Sequence, residues 1–202
     1  MALVLQPDLP LALCAPHHSK IPLQLVSYAA RVFNALPHTT VYIDVGAADW
    51  PTVGQAVALL RGAGIRSARG FALDATHYDS TERQIMFGQK IVRALAAAHI
   101  PGRHFVINTA QNGRPFTYQQ YRGPDFNNAA ACVSRTQRRC VALGIPPTTD
   151  VSNPRWGLSA KARAIARRLG DAYLWVGRPW LDGQDEHFDV QRALALARTT
   201  PF

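Results

Sequence analysis

The sequence predicts an α/β fold with mainly parallel strands arranged as a sheet or barrel. Three observations carry that prediction. Five β-forming runs alternate with helix-period patterns, the order that βαβ units with right-handed crossovers produce. Four of those five runs end in or near an acid (Asp8, Asp44, Asp74 and Asp182), so a parallel arrangement gathers several carboxylates on one rim. With 202 residues, 48% of them hydrophobic, the chain can bury a substantial core, and residues 1–202 read as one domain.

Ala2 to Gln6 is the first strand, ended by Pro7-Asp8. A helix follows over Leu25 to Leu36, where Val26, Ala29, Ala30 and Phe33 recur at the spacing of one buried face, and Pro37 stops it. The second strand, Thr40 to Val45, leads past Asp44 into the Gly46 bend and Trp50, with a helix opening at Pro51 and stopping at Gly62 or Gly64. An apolar run that closes on Asp is costly unless the carboxylate reaches the exposed carboxyl end of its strand, where ligands collect in parallel α/β folds. The third strand, Ser67 to Leu73, closes on Asp74, and Asp79-Ser80-Thr81-Glu82 has the form of a capping box that opens a helix to His99. His104 to Asn108 is the fourth strand. Thr109 to Asn153 is rich in Gln, Asn, Gly, Pro and Arg, and a loop of that length inside a compact domain tends to be functional. Leu158 to Leu169 is a helix stopped by Gly170, Ala172 to Val176 is the fifth strand, and Asp189 to Arg198 is the last helix.

A net charge of +9, from 22 Lys and Arg against 13 Asp and Glu, can attract polyanions. The densest basic clusters, Arg135, Arg138 and Arg139 and then Arg163, Arg167 and Arg168, read as solvated faces. Neither zinc-knuckle spacing nor an aromatic RNA-binding signature accompanies them, so no nucleic acid is expected; a basic nucleic-acid-binding α/β protein is the last-ranked alternative. No apolar stretch approaches the ~20 residues of a membrane-spanning helix, and no membrane partner is expected. Met1 to Cys14 is apolar but broken by Pro7, Asp8 and Pro10, and it lacks the basic start of a signal peptide. Cys14, Cys132 and Cys140 match neither a metal site nor a dense disulfide framework. Cys132 and Cys140 can pair across a short loop, which leaves Cys14 over. His17-His18 has no third ligand and reads as loop, so neither a metal nor a cofactor is expected.

Leu5-Gln6-Pro7-Asp8, Tyr42-Ile43-Asp44-Val45-Gly46 with Trp50, and Val106-Ile107-Asn108-Thr109 before Asn112-Gly113 occur in that order. Pro147-Thr148-Thr149 follows, then Leu174-Trp175-Val176 ahead of Asp182-Gly183. In order and spacing, nearly end to end, the chain resembles glycoside hydrolase family 6, the inverting cellulases (endoglucanases and cellobiohydrolases). The resemblance implies a distorted (β/α) barrel, cleavage of β-1,4-glucan with inversion at the anomeric carbon, and an extracellular setting. It implies Asp8 as general acid, Asp182 as candidate base and Asp44 as a supporting carboxylate. The chemistry needs such a set, because one carboxylic acid protonates the departing glycosidic oxygen while a second carboxylate about 6.5–9.5 Å away activates water. Trp50 matches a tryptophan that stacks on a glucose ring, and Tyr78 and Trp180 are further candidates for sugar contact. Without the family, Pro7-Asp8 and Asp182-Gly183 are turn dipeptides. Trp50 then packs on the following helix, Tyr78 is a contact at a helix start, and Trp180 caps the barrel rim.

The chain also departs from the family pattern. The family's earlier strands, with a Tyr-Asn-Pro-Gly-Arg-Asp-Cys segment that supplies a tyrosine beside the cleaved sugar and another Asp, have no counterpart ahead of Ala2. The chain therefore resembles the C-terminal portion of the domain. The expectation is a partial barrel with unpaired strand edges, which self-associates unless a separate N-terminal piece completes it. Cys14 agrees, since its family counterpart pairs with the cysteine of that segment, and Cys140 takes over as partner of Cys132. Tyr78 follows a position where the family has Asn and this chain has His77. Asn108 stands where the family has Asp, Ala47 where it has His, and Ala131 where it has a sugar-stacking Trp. Gly177, Arg178 and Leu181 replace the Lys and Glu around the final Asp. These replacements predict a looser grip on β-glucan, in either a hydrolase or a noncatalytic carbohydrate-binding remnant.

Overall fold

The structure is a computed structural model that describes residues 1–181 and 187–202. Its strands are β1 (Ala2–Leu5), β2 (Thr40–Asp44), β3 (Gly70–Leu73), β4 (His104–Asn108) and β5 (Gly170–Leu174). Its α-helices are α1 (Ile21–Asn34), α2 (Val53–Gly62), α3 (Thr81–Ala97), α4 (Ala160–Leu169) and α5 (Val190–Thr199). The strands pair in parallel in the order β1-β2-β3-β4-β5, and the sheet curls into a half-barrel. Among the described residues β1 and β5 are its edges.

Side chains alternate between the faces of a strand, and residue size sorts them. Val41, Ile43, Phe71, Leu73, Phe105, Ile107 and Tyr173 point outward into the core shared with the helices. Val4, Tyr42, Ala72, Val106, Ala172 and Leu174 form a smaller inner cluster. Gly70 must be glycine, because a Cβ there would lie 1.8 Å from the His104 carbonyl oxygen on the neighbouring strand.

The amino end of the sheet is closed by one carboxylate. Phe105 pairs with Gly170 and Val106 with Ala172, so Asp171 is the extra residue of a bulge, a device that re-aims a side chain. Asp171 accepts hydrogen bonds from Tyr42 Oη at 2.8 Å and from Arg69 Nε and Nη2 at 2.9 Å each, and His104 Nδ1 lies 2.9 Å away. Burial pushes the Asp171 carboxyl up, but the Arg69 and Tyr42 hydrogen bonds and the His104 and Arg69 charges outweigh it and hold the group below the usual range.

The predicted elements lie where expected, with local differences that have physical causes. The second helix starts not at Pro51 but after Thr52, which forms a reciprocal capping box with Gln55. The box read at Asp79 to Glu82 does not form. Ser80 alone caps α3 through Arg83 N, and Glu82 instead accepts from Ser159 N and Oγ. The third strand starts at Gly70 because Ile65–Ser67 makes a 3-10 turn. The first helix starts at Ile21, and its predicted inner face is half right: Val26 and Ala30 are buried, Phe33 is exposed. Small Ala30 lets the backbone approach the sheet, and a second stripe made of Ile21, Leu25, Tyr28, Val32 and Leu36 faces away from the core.

Residues 109–159 leave the sheet after β4, as the irregular composition predicts, and fold over its carboxyl end. Cys132 and Cys140 are disulfide-bonded, closing a loop whose Arg135, Arg138 and Arg139 are exposed, while Cys14 is free and exposed. A second core, made by Tyr78, Phe116, Ala129, Val141 and Leu196 of α5, lies under this excursion. Among the described residues no helix is long and apolar enough to cross a membrane.

Candidate active site

The rim acids arise from one local device used twice. β1 and β3 each run into an Asp in the left-handed backbone region, Asp8 with φ 65° and Asp74 with φ 65°, which turns the chain off the strand end. Asp tolerates that region better than most side chains because its short polar group can bond locally. β2 ends on Asp44, and the bend after it is Gly46 at φ 82°.

Asp44 is fully buried. Its Oδ2 accepts from the backbone N–H of Asp8 at 3.1 Å and of Gly46 at 3.0 Å, while its buried Oδ1 has no hydrogen-bond partner among the described residues. Asp44 thus clamps the main chain that carries Asp8. Burial raises its carboxyl well above the usual range, against the Gly46 hydrogen bond and with the added push of the Asp8 charge. Asp8 itself is half-buried, and its Oδ1 accepts a hydrogen bond from Thr76 Oγ1.

Asp74 is fully buried too, with Gln84 Nε2 donating to Oδ1 at 3.0 Å and Asn112 Nδ2 to Oδ2 at 3.2 Å. Burial, then the Asp79 and Asp49 charges, hold its carboxyl well above the usual range. Asn108 has a task no Asp performs. Its Nδ2 donates to the carbonyls of Asp74 at 2.9 Å and Ala75 at 3.3 Å, while its Oδ1 accepts from Ala110 N and Val176 N, each at 3.2 Å. The amide ties β3 to the loop after β5, using donor and acceptor at once.

A cleft of about 550 Å³ opens on this rim. Asp8, Thr76, Tyr78, Gln111, Arg178 and Arg192 line it together with Asn127 and Asn128 of the excursion. Another depression, about 540 Å³ beside Arg61, Gly62 and Ser67, has no carboxylate in its lining.

Trp50 is 37% exposed and stacks on His77 with ring centroids 5.0 Å apart and planes 14° from parallel. Beneath it, His77 Nδ1 lies 2.9 Å from Asp49 Oδ1, and Asp49 Oδ2 accepts from Tyr118 N at 2.9 Å. Burial pushes the Asp49 carboxyl up, but the His77 hydrogen bond and charge and the Tyr118 N–H hold it below the usual range. Tyr78 lines the cleft yet is 4% exposed, stacked on Phe116 at 4.8 Å and donating to the Asn127 carbonyl at 2.9 Å; burial pushes its hydroxyl up to about 12. Trp180 packs on the second core. Of the residues predicted for the site, Asp8 and Asp44 come together, Trp50 stands on the same end of the sheet, Tyr78 lines the cleft while packing in the second core, Trp180 packs against that core, and Asp182 lies outside the described residues.

Sequence reading missed Thr76, the Asp49–His77 pair and Arg192. Arg192 lines the cleft and donates from Nη2 to the Ala129 carbonyl at 2.8 Å. For Asp49 a signal existed, since it directly precedes Trp50 in the loop that follows β2.

Parallel strands with helices outside and polar side chains gathered at the carboxyl rim define a barrel-type α/β protein with its site on that rim. The chain belongs to the glycosyl hydrolases family 6, whose model matches residues 2–195. Endoglucanase 1 of Streptomyces halstedii is 32% identical over 99 residues, which are 46% of this chain and 31% of that protein. Endoglucanase A of Thermobispora bispora is 26% identical over 182 residues, 88% of this chain and 33% of that protein. The chain therefore spans about a third of the length of these relatives. The endoglucanase Cel6 of Mycobacterium tuberculosis, solved with methyl-cellobiosyl-4-deoxy-4-thio-β-D-cellobioside, superposes with a TM-score of 0.73 at 28% identity, covering 96% of this chain and 60% of that one. The catalytic domain of Cellulomonas fimi Cel6B shares the fold, with a TM-score of 0.62 at 18% identity.

Proposed function

We propose that the protein hydrolyses β-1,4-glucosidic bonds of cellulose or a related β-glucan with inversion at the anomeric carbon. Asp8 is the general acid, Asp182 the candidate base, and Asp44 the carboxylate that fixes Asp8 through its backbone N–H. Trp50, part-exposed at the same end of the sheet, stacks on a sugar ring. The observation that carries this reading is Asp8, a half-buried carboxyl in the cleft, oriented by Thr76 Oγ1 and hung on the buried Asp44, in a chain of this family. Inversion requires a water between the glucan and the base, and hence the wider of the two carboxyl spacings used by glycosidases.

Two further parts of the reading concern the setting. The Cys132–Cys140 disulfide supports an oxidising, extracellular location. The unpaired side of β1 among the described residues, together with the exposed apolar stripe of α1 and exposed Leu11 and Leu13, supports a polypeptide partner that adds strands to the sheet.

The test is soluble reducing-sugar release from amorphous cellulose and mixed-linkage β-glucan, with Asp8→Ala in parallel. Release that vanishes in Asp8→Ala is the expected result. Folded protein that retains β-glucan in an affinity gel and releases no sugar would establish the other reading, a noncatalytic carbohydrate-binding protein.

A further inference from the structure

The turn between β3 and α3 delivers two neighbouring side chains to two different tasks. Thr76 bonds Asp8, and His77 lies under Trp50. His77 is itself held on several sides. Its Nδ1 meets Asp49, whose side chain is 1% exposed; Phe126 packs edge-on at 5.3 Å and 70°; and its carbonyl accepts from Gln111 Nε2 at 2.9 Å. Gly46 leaves the room the indole occupies, since a Cβ there would come within 3.3 Å of its ring. An indole standing alone on a loop is free to swing. This one lies on an imidazole that is hydrogen-bonded to a buried carboxylate, which in turn is pinned by the Tyr118 N–H. A sugar stacking on the open face of Trp50 then meets a ring already in place, and the ordering cost of the loop does not reduce affinity.

We infer that His77 is a positioning residue for Trp50: it sets the affinity of the Trp50 sugar subsite without taking part in bond cleavage. The inference rests on the proposed glucan reading. It separates binding from chemistry along one turn, because Thr76 serves the acid and His77 serves the platform. A defect at His77 therefore appears in KM, while kcat, which depends on Asp8, stays unchanged.

The experiment is a double-mutant cycle in the whole protein, made with Trp50→Ala, His77→Asn and the pair, reading cello-oligosaccharide affinity together with KM and kcat. His77→Phe is the second variant; it restores the ring under Trp50 but not the bond to Asp49, and a thermal melt accompanies each. The expected result is about a tenfold loss of affinity in His77→Asn, the scale of an aromatic stacking contact, with a matching rise in KM and recovery of most of it in His77→Phe. In the Trp50→Ala background His77→Asn then has no further effect. Equal losses in both backgrounds, or unchanged affinity in folded His77→Asn, overturn the inference while leaving the glucan reading intact. Wild-type protein that neither binds nor cuts cello-oligosaccharides overturns both.

Discussion

The two ends of the sheet hold the same kind of group in opposite states. At the amino end Asp171 meets two guanidinium nitrogens of Arg69, the Tyr42 hydroxyl and His104, and its carboxyl is held low. At the carboxyl end Asp44 and Asp74 have, among the described residues, neutral donors and other acids for company, and burial holds both high. Desolvation acts on all three, and the presence of a cationic partner decides the sign. The amino end is thereby a fastening. The carboxyl end stores carboxyl groups in a costly environment.

The strongest way to test the contrast is to silence one end without touching the other. Asp8→Asn is expected to lower sugar release on the order of 10²–10⁴-fold, the usual contribution of a general acid, with an unchanged circular-dichroism spectrum. Gly70→Ala strikes the amino end. The added methyl collides with backbone, where nothing flexible yields, and a loss of about 3 kcal/mol in urea unfolding is expected. Asp171→Ala leaves Tyr42 and Arg69 without their acceptor and His104 without its carboxylate neighbour. Because Arg69 is 44% exposed, the loss is about 2 kcal/mol, short of that for a fully buried pair. Replacing Cys132 and Cys140 together with Ser frees the excursion over the carboxyl end at a cost of about 2 kcal/mol, with the sheet's own hydrogen-exchange protection retained.

The smallest effect is the most specific to the comparison. Asp171, whose folded value is depressed, contributes stability that is present above the unfolded carboxyl value and lost as pH falls through the folded one. Asp44, whose folded value is raised, works the other way. Below the unfolded value of about 3.9 it costs nothing, and stability declines as pH climbs from there toward the folded value. Melting temperature against pH is therefore expected to lose part of its acid arm in Asp171→Asn and to flatten on the higher-pH side in Asp44→Asn. A curve of unchanged shape in both variants would erase the distinction between the two ends.

Much of this was legible in the chain. Thr40–Asp44 and His104–Asn108 read cleanly as strands because β-branched and aromatic runs end there at Asp or Asn, and the strand-end acids predicted a shared carboxylate rim that Asp8 and Asp44 form. What failed was local ambiguity that only tertiary packing resolves. α1 carries two apolar stripes, and periodicity cannot say which one faces the sheet; the stripe with Ala30 does, because a small side chain permits close approach. Glu82 has the spacing of a cap, yet its partner is Ser159, 77 residues away. Thr76 and His77 were invisible as site residues for the same reason, since their partners Asp8 and Asp49 stand 68 and 28 residues off. Asn108 looked like a lost acid and is a cross-strand tie, a difference that lies in its neighbours' carbonyls.

The left-handed backbone at Asp8 bears on how such a protein ages in evolution. At φ 65° most side chains are strained, and Asn is the residue besides Gly that fits as easily as Asp. One base change in the codon converts the acid to its amide. That amide keeps an oxygen for Thr76 and leaves the Asp44 clamp, which grips main chain, untouched. On the proposed reading, a lineage that stopped cutting glucan would keep the cleft, and a sugar-holding descendant would lie one substitution away with nothing to refold.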